Sequence, residues 1–214
     1  LKRQPLNQRA ILIVSLLALI GFLLLAFSRS SFASINADVN SWAATNQTAS
    51  FTRVAVGISI VFDTYSLLAL SVVAAAVLFY KKYRRQGVLF LGAMMGDALL
   101  VAASKALVYS PRPTNGLMAE TSNSFPSGHV TGIIVFIGLL TYFAWHVKRS
   151  SKVKAGSSVF YVAITVVVGF DRIYLNVHWL SDVLGGLMLG TFWLTFAILV
   201  FRYLENRQLV RWRD

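Results

Sequence analysis

Between Lys105 and Asp182 an apolar sequence is interrupted three times by groups able to hold and cleave a phosphate. Lys105 is followed after six residues by Arg112-Pro113. Pro126-Ser127-Gly128-His129 comes next, and then Arg172, five residues, His178, three residues and Asp182. Lys105, Arg112 and Arg172 supply three cations: guanidinium forks match phosphate oxygens two at a time, while lysine acts as a point charge. Ser127-Gly128 adds a hydroxyl and, at the start of a helix, backbone N–H groups that favour an anion. The glycine also lets a ligand approach the backbone closely.

His178 and Asp182 stand four apart, on one face of a helix if the segment is helical. A carboxylate that accepts one ring N–H fixes the tautomer and leaves the other nitrogen free to attack. His129 is the remaining titratable group, suited to protonate a leaving oxygen and later to deprotonate water. The pattern reads as in-line phosphoryl transfer to His178 followed by hydrolysis of the phosphohistidine, the cations stabilising charge on the equatorial oxygens. Taken singly, each residue has a plainer reading. Arg172 could be an interfacial anchor, His178-Trp179 an aromatic-belt pair, Asp182 a helix cap, and Lys105 could snorkel outward. Order, spacing and sidedness together point to a site. Two histidines could ligate a metal, but the carboxylates expected around a phosphate-handling magnesium are sparse, with Asp171 and Asp182 alone near the third motif. No metal and no cofactor is assigned.

The elements that must position these groups are membrane helices. The sequence is 57% hydrophobic and 13% charged, outside the usual soluble range. Apolar windows run over Ala10–Phe27, Val54–Tyr80, Gly87–Ser104, Val130–Trp145, Ala155–Phe170 and Val183–Phe201. A span needs about 20 mostly apolar residues, and in lipid it must satisfy its own backbone, hence as helix. The expectation is an all-α bundle of six transmembrane helices in one domain over residues 1–214. Gly156-Ser157-Ser158 weakens the start of the fifth. The first segment lacks a small-residue cleavage site and reads as a retained signal anchor. The chain opens at Leu1 rather than methionine, as a domain cut from a longer protein would.

Charge orients the bundle. The net charge is +12, but fifteen of the twenty basic residues fall in four clusters that six spans place on one side: Lys2, Arg3 and Arg9; Lys81, Lys82, Arg84 and Arg85; Lys148, Arg149, Lys152 and Lys154; Arg202, Arg207, Arg211 and Arg213. The positive-inside rule then makes both termini cytoplasmic. Arg29, Arg53, Lys105, Arg112 and Arg172 are left on the other side, where all three motifs emerge. The basic excess is a topology signal with anionic headgroup contact added. No cluster is interleaved with stacking aromatics on a folded face, so no nucleic-acid partner is expected. The chain has no cysteine, hence no disulfide or thiolate metal site.

Phe32, Ile35, Val39 and Trp42 recur at helical spacing after the first span and predict a short interfacial helix, either a rim guiding headgroups or, as preferred here, a linker resting on the membrane. Asp63 and Asp97 fall inside apolar windows, where acids are costly. Asp97 lies two turns below Lys105, a geometry that allows an ion or proton path, although structural pairing with a bundle cation or hydroxyl is the simpler account. Arg112 is held extended between Pro111 and Pro113. Asn115–Phe125 reads as a polar, mobile loop. Gly186-x-x-x-Gly190 reads as close packing inside the bundle rather than as a dimer contact. The oligomeric state is left open.

The motifs resemble those of the type 2 phosphatidic acid phosphatase family, membrane lipid phosphatases that share a site with glucose-6-phosphatase and vanadium haloperoxidases. The family pattern Lys-x6-Arg-Pro, Pro-Ser-Gly-His and Ser-Arg-x5-His-x3-Asp is met by Lys105, Arg112, Pro113, Pro126, Ser127, Gly128, His129, Arg172, His178 and Asp182. Asp171 stands where the family has serine, either weakening phosphate binding or orienting Arg172. The resemblance implies a metal-independent phosphatase of the cell (inner) membrane with its site on the extracytoplasmic side. His178 would be the nucleophile, His129 the acid/base and Asp182 the orienting group, with Lys105, Arg112, Ser127, Gly128 and Arg172 as phosphate ligands and Asp171 as a modulator. Substrates would be lipid phosphates or isoprenoid pyrophosphates: undecaprenyl pyrophosphate, phosphatidylglycerophosphate or phosphatidate. The competing class is a non-catalytic lipid-phosphate binder or transporter using the same cations, with Asp63 and Asp97 on its path.

Overall fold

A computed structural model describes residues 8–147 and 150–206; Lys2, Arg3, Lys148, Arg149, Arg207, Arg211 and Arg213 of the basic clusters lie outside the described residues. The regular structure of the described chain is all helical: α1 (Gln8–Phe27), a 3-10 turn η1 (Arg29–Phe32), α2 (Ala33–Thr45), α3 (Ala49–Val61), α4 (Thr64–Tyr80), α5 (Arg84–Leu107), α6 (Gly128–Val147), α7 (Ser151–Tyr174) and α8 (Leu180–Asn206). Five of these, α1, α5, α6, α7 and α8, are long and apolar enough to cross a bilayer alone. α3 and α4 together are long and apolar enough for a sixth, as a pair bent by 50° at their junction.

The core forms around α6, which packs against α4, α5, α7 and α8 and buries Val130, Ile133, Ile134, Val135 and Leu139. The Gly186/Gly190 pair presses α8 onto it. A Cβ on Gly186 would come 2.9 Å from the Ser127 carbonyl, and one on Gly190 would lie 3.1 Å from Thr131 Cα, so these glycines serve packing within the bundle. α1 runs along α8, with Phe22 stacked on Phe125 at 5.5 Å. The ends of the bundle are distinct. Arg85 at the start of α5 faces Glu205 at the end of α8 at 3.8 Å, and Trp145 Nε1 at the end of α6 donates to the Lys154 carbonyl of α7 at 3.2 Å. The described basic clusters are at this end, with the third histidine, His146. The three motifs are at the other.

Two expectations change. The window Val54–Tyr80 is two helices, because Asp63 caps α4 by accepting from the Tyr65 N–H at 2.8 Å; it is a cap at a break rather than an acid within a continuous span. The loop expected to be mobile is threaded with hydrogen bonds. Leu117 N donates to the Leu175 carbonyl (2.9 Å) and Ser124 N to that of Ser110 (2.8 Å), while Asn40 Nδ2 donates to Asn115 Oδ1 (3.1 Å). Asp97 is buried beside Thr131 of α6, while Lys105 donates to the Asn123 carbonyl, in keeping with the simpler account of structural pairing. The helix after the first span is present as α2. Its inward side carries Asn36 and Ala43, while Ile35 and Trp42 face outward.

Candidate active site

The third motif occupies the turn between α7 and α8. Asn176 takes a left-handed conformation there (φ 51°), one that asparagine tolerates better than most residues, and the chain re-enters helix at Leu180. Asp182 sits in the first turn of α8 and reaches back, its Oδ2 accepting from Trp179 N at 2.9 Å, one half of a capping box. The same oxygen lies 3.4 Å from His178 Nδ1. The cap thus aims the carboxylate at the imidazole. His178 is buried, and burial pushes its pKa down to about 4 against the pull of Asp182, with Arg112 and Lys105 adding to the decrease. The ring is therefore neutral near neutral pH. With its proton on Nδ1 toward Asp182, Nε2 carries the lone pair, and it faces Arg112 Nη1 at 3.4 Å.

The first motif supplies that arginine. Arg112 is braced by its own loop and by the third motif: Nε donates to the Ser122 carbonyl at 2.8 Å, Nη1 to the Val177 carbonyl at 2.7 Å, and Nη2 lies 3.4 Å from Glu120 Oε2. Lys105, at the end of α5, is tied to Asn123 in both directions, its carbonyl accepting from Asn123 Nδ2 at 2.8 Å. It lies within electrostatic reach of Arg112, Glu120 and Asp182.

The second motif starts α6. Ser127 N donates to the Asp182 carbonyl at 3.1 Å, which joins Pro126–His129 to the first turn of α8. The Ser127 hydroxyl is buried without a partner. Gly128 lies against Val101 and Thr64. His129 Nε2 is 3.2 Å from the Ser59 carbonyl and 3.3 Å from Arg172 Nη1, so it donates to the first or accepts from the second. Arg172 is wholly buried. Asp171 Oδ2 accepts from its Nε at 2.9 Å and also from Nη2, leaving Nη1 for His129.

The structure thus gathers every residue of the three motifs at one end of the bundle: Arg112 on His178, His178 on Asp182, Asp182 on Ser127, and Arg172 on His129. Buried atoms without hydrogen-bond partners concentrate here, among them Ser127 Oγ, His178 Nδ1, Asp182 Oδ1 and Asp171 Oδ1. Folded proteins leave few such atoms, and of these the Ser127 hydroxyl is a donor that an anion could engage. Four contributors escaped motif reading. Arg29 and Asn36 come from the segment after the first span, Ser59 acts through its backbone, and Glu120 lies in the loop. Only Arg29 left a trace, as one of the few cations on the motif side.

Comparison with known proteins follows the same residues. The family model of the PAP2 superfamily matches residues 86–206, which contain all three motifs. Phosphatidylglycerophosphatase B of Bacillus subtilis is 36% identical over 126 residues, 58% of this chain and 62% of that protein. An undecaprenyl-diphosphatase of Sulfolobus acidocaldarius is 28% identical over 131 residues, 58% of this chain and 59% of that protein. The matched stretch thus spans about three fifths of each of these relatives. The crystal structure of a transmembrane PAP2-type phosphatidylglycerolphosphate phosphatase from Bacillus subtilis superimposes with a TM-score of 0.80 at 30% identity, covering 93% of this chain and 98% of that one.

Proposed function

The chain belongs to the PAP2 superfamily, and from that membership we propose that it is an integral membrane phosphatase removing phosphate from lipid phosphates or isoprenoid pyrophosphates at the extracytoplasmic face. One observation carries the reading: His178 has Asp182 at Nδ1 and an arginine at Nε2, and the second imidazole, His129, meets the other arginine. The Nε2 lone pair of His178 attacks phosphorus in line as the bond to the leaving oxygen breaks. Lys105, Arg112, Arg172, the Ser127 hydroxyl and the Gly128 N–H hold the equatorial oxygens, where charge gathers in the transition state. His129 gives its proton to the leaving oxygen, then takes one from the water that cleaves the P–N bond, releasing phosphate and restoring His178. One oxygen of each carboxylate near the site is engaged by protein groups: Asp182 Oδ2 faces Trp179 and His178, Asp171 Oδ2 Arg172, and Glu120 Oε2 Arg112. The mechanism requires no metal.

A lipid substrate fits the surroundings. An apolar cleft of about 190 Å³ between α3 and α7, lined by Phe51, Ile58, Val166 and Phe170, ends at Asp171 beside the phosphate-binding arginine. Phosphatidylglycerophosphate, undecaprenyl pyrophosphate and phosphatidate are the candidates, in keeping with the names of the relatives. The test is phosphate release by purified protein across those three lipids. His178→Gln should lower turnover on whichever is cleaved by roughly a thousandfold or more. His129→Ala should harm pyrophosphate cleavage less than monoester cleavage, because pyrophosphate is the better leaving group. A His178→Gln protein as fast as its parent would end the covalent mechanism, and a parent that binds these lipids without releasing phosphate would leave a binding protein.

A further inference from the structure

Arg29 follows the first span, in η1, far in sequence from the three motifs, yet its guanidinium is directed into them. Nη1 donates to the Tyr109 carbonyl at 3.0 Å, Nη2 donates to the Ser110 hydroxyl, and the group lies over the Phe125 ring at 5.1 Å. Nη2 is also 3.8 Å from Asp182 Oδ1. That contact involves the carboxylate oxygen that His178 does not use. Asp182 is fully buried; Oδ2 serves Trp179 N and His178 Nδ1, and Oδ1 has no hydrogen-bond partner. Among the described residues, Arg29 and His178 alone place a cation-forming nitrogen within 4.0 Å of this carboxylate.

A buried carboxylate beside a neutral imidazole is costly unless a cation faces it. Resting on the phosphatase reading above, we propose that Arg29 is a positioning residue of the site. It faces the Asp182 carboxylate at Oδ1 and keeps its other oxygen aimed at His178 Nδ1. Arg29 does not touch the reacting phosphate in this account; it acts through Asp182. The neighbouring helix turn is held from the same segment, since Asn36 Nδ2 donates to Ser181 Oγ at 3.0 Å and Ser181 N donates to Asn36 Oδ1 at 3.1 Å. The η1–α2 segment is therefore a frame for the first turn of α8.

The account makes a directional claim. Without Arg29, the Asp182 carboxylate stabilises protonated His178 with one neighbouring cation fewer to oppose it. His178 then leaves its neutral, reactive state at a higher pH than in the parent. The other charged groups facing the pair are Lys105 from α5, Arg112 and Glu120 from the α5–α6 loop, Arg172 from α7 and His129 from α6. None of them is altered in an Arg29 variant.

The test measures kcat and KM between pH 4 and 9 on short-chain phosphatidate, with parent, Arg29→Gln, Arg29→Lys, Asp182→Asn and the double variant Arg29→Gln/Asp182→Asn. Arg29→Gln should lower kcat by roughly tenfold or more with KM within about twofold, and move the acid limb of kcat/KM up by about one pH unit. Arg29→Lys, which keeps the charge, should keep the limb of the parent. In the double variant, which removes both charges together, kcat should equal that of Asp182→Asn alone. Four results would overturn the inference: an unmoved acid limb in Arg29→Gln, a rise in KM at constant kcat, a limb displaced equally in Arg29→Lys, or a further additive loss in the double variant. A parent that releases no phosphate from phosphatidate, phosphatidylglycerophosphate or undecaprenyl pyrophosphate would remove the hydrolase reading and this inference with it, whereas an active parent with indifferent Arg29 variants would remove the inference alone.

Discussion

Asp171 is the motif position at which this chain departs from the family pattern, and its geometry explains how an acid is tolerated beside a phosphate site. Its carboxylate takes the Nε–Nη2 edge of Arg172 and leaves Nη1 toward His129, so the acid occupies one edge of the guanidinium. Removing one partner of a buried pair costs about 3 kcal/mol or more because the other charge is left bare. Asp171→Ser is therefore expected to lower the thermal stability of the ligand-free protein by that order, to keep kcat within about tenfold of the parent, and to regain stability in the presence of vanadate or phosphate. Thermal unfolding with and without the anion, set beside kcat, checks this; a collapse of turnover with stability intact would give the acid a part in the chemistry. At this scale the motif residues were legible because phosphate chemistry restricts residue type and spacing. Their partners were not. Arg29 and Glu120 act through long-range contacts that no local pattern announces, and Asp171 could not be assigned between its two roles until its side chain was seen on Arg172.

Helices announce themselves by apolar runs, and each of the six windows corresponds to helical chain in the structure. The division of one window into α3 and α4 was not legible, because a cap inside a hydrophobic stretch looks like a buried acid. That break has a chemical use. In a continuous helix the Ser59 carbonyl would accept from Asp63 N; here Asp63 N turns to the Ile60 carbonyl at 3.5 Å, and Ser59 is left to meet His129 Nε2 at 3.2 Å. The Asp63 cap and the hydrogen bond from Ser66 Oγ to the Ile60 carbonyl (2.9 Å) hold the break. Asp63→Ala should cost about 1 kcal/mol of stability through the lost cap and lower kcat severalfold at unchanged KM, as His129 loses a fixed partner. Asp63→Ser, which can still cap, should behave as the parent. Thermal unfolding and steady-state kinetics on the two variants distinguish them, and an alanine variant with parental kcat would show that the Ser59 carbonyl stays in place without the cap. The outward-facing Ile35 and Trp42 of α2 fit the amphipathic spacing read before any fold was known. Its inward Asn36 did not stand out, since one asparagine in a Ser/Ala/Asn-rich stretch carries no signal of its own.

For the whole molecule, the consequential inference is sidedness. Charge placed the basic clusters and the motifs on opposite faces, and the fold keeps the described members of each set at opposite ends of one bundle. Geometry alone does not say which end meets which compartment; that comes from the positive-inside rule, which acts through insertion. The absence of cysteine from the sequence makes the question open to direct chemistry, because a single introduced thiol is then the sole target for a maleimide. Thr121, exposed in the loop above the site, and Lys152, exposed at the opposite end at the start of α7, are suitable positions, and neither belongs to the catalytic set. In intact cells a membrane-impermeant maleimide should label Thr121→Cys and spare Lys152→Cys, with the second labelled only after the membrane is opened. The reverse pattern would turn the site toward the cytoplasm and substitute lipid phosphates of the inner leaflet for those of the outer one. Labelling of both in sealed cells would mean a mixed orientation, which the described basic residues gathered at one end of the bundle oppose, since topology follows the excess of lysine and arginine in the short loops flanking the spans.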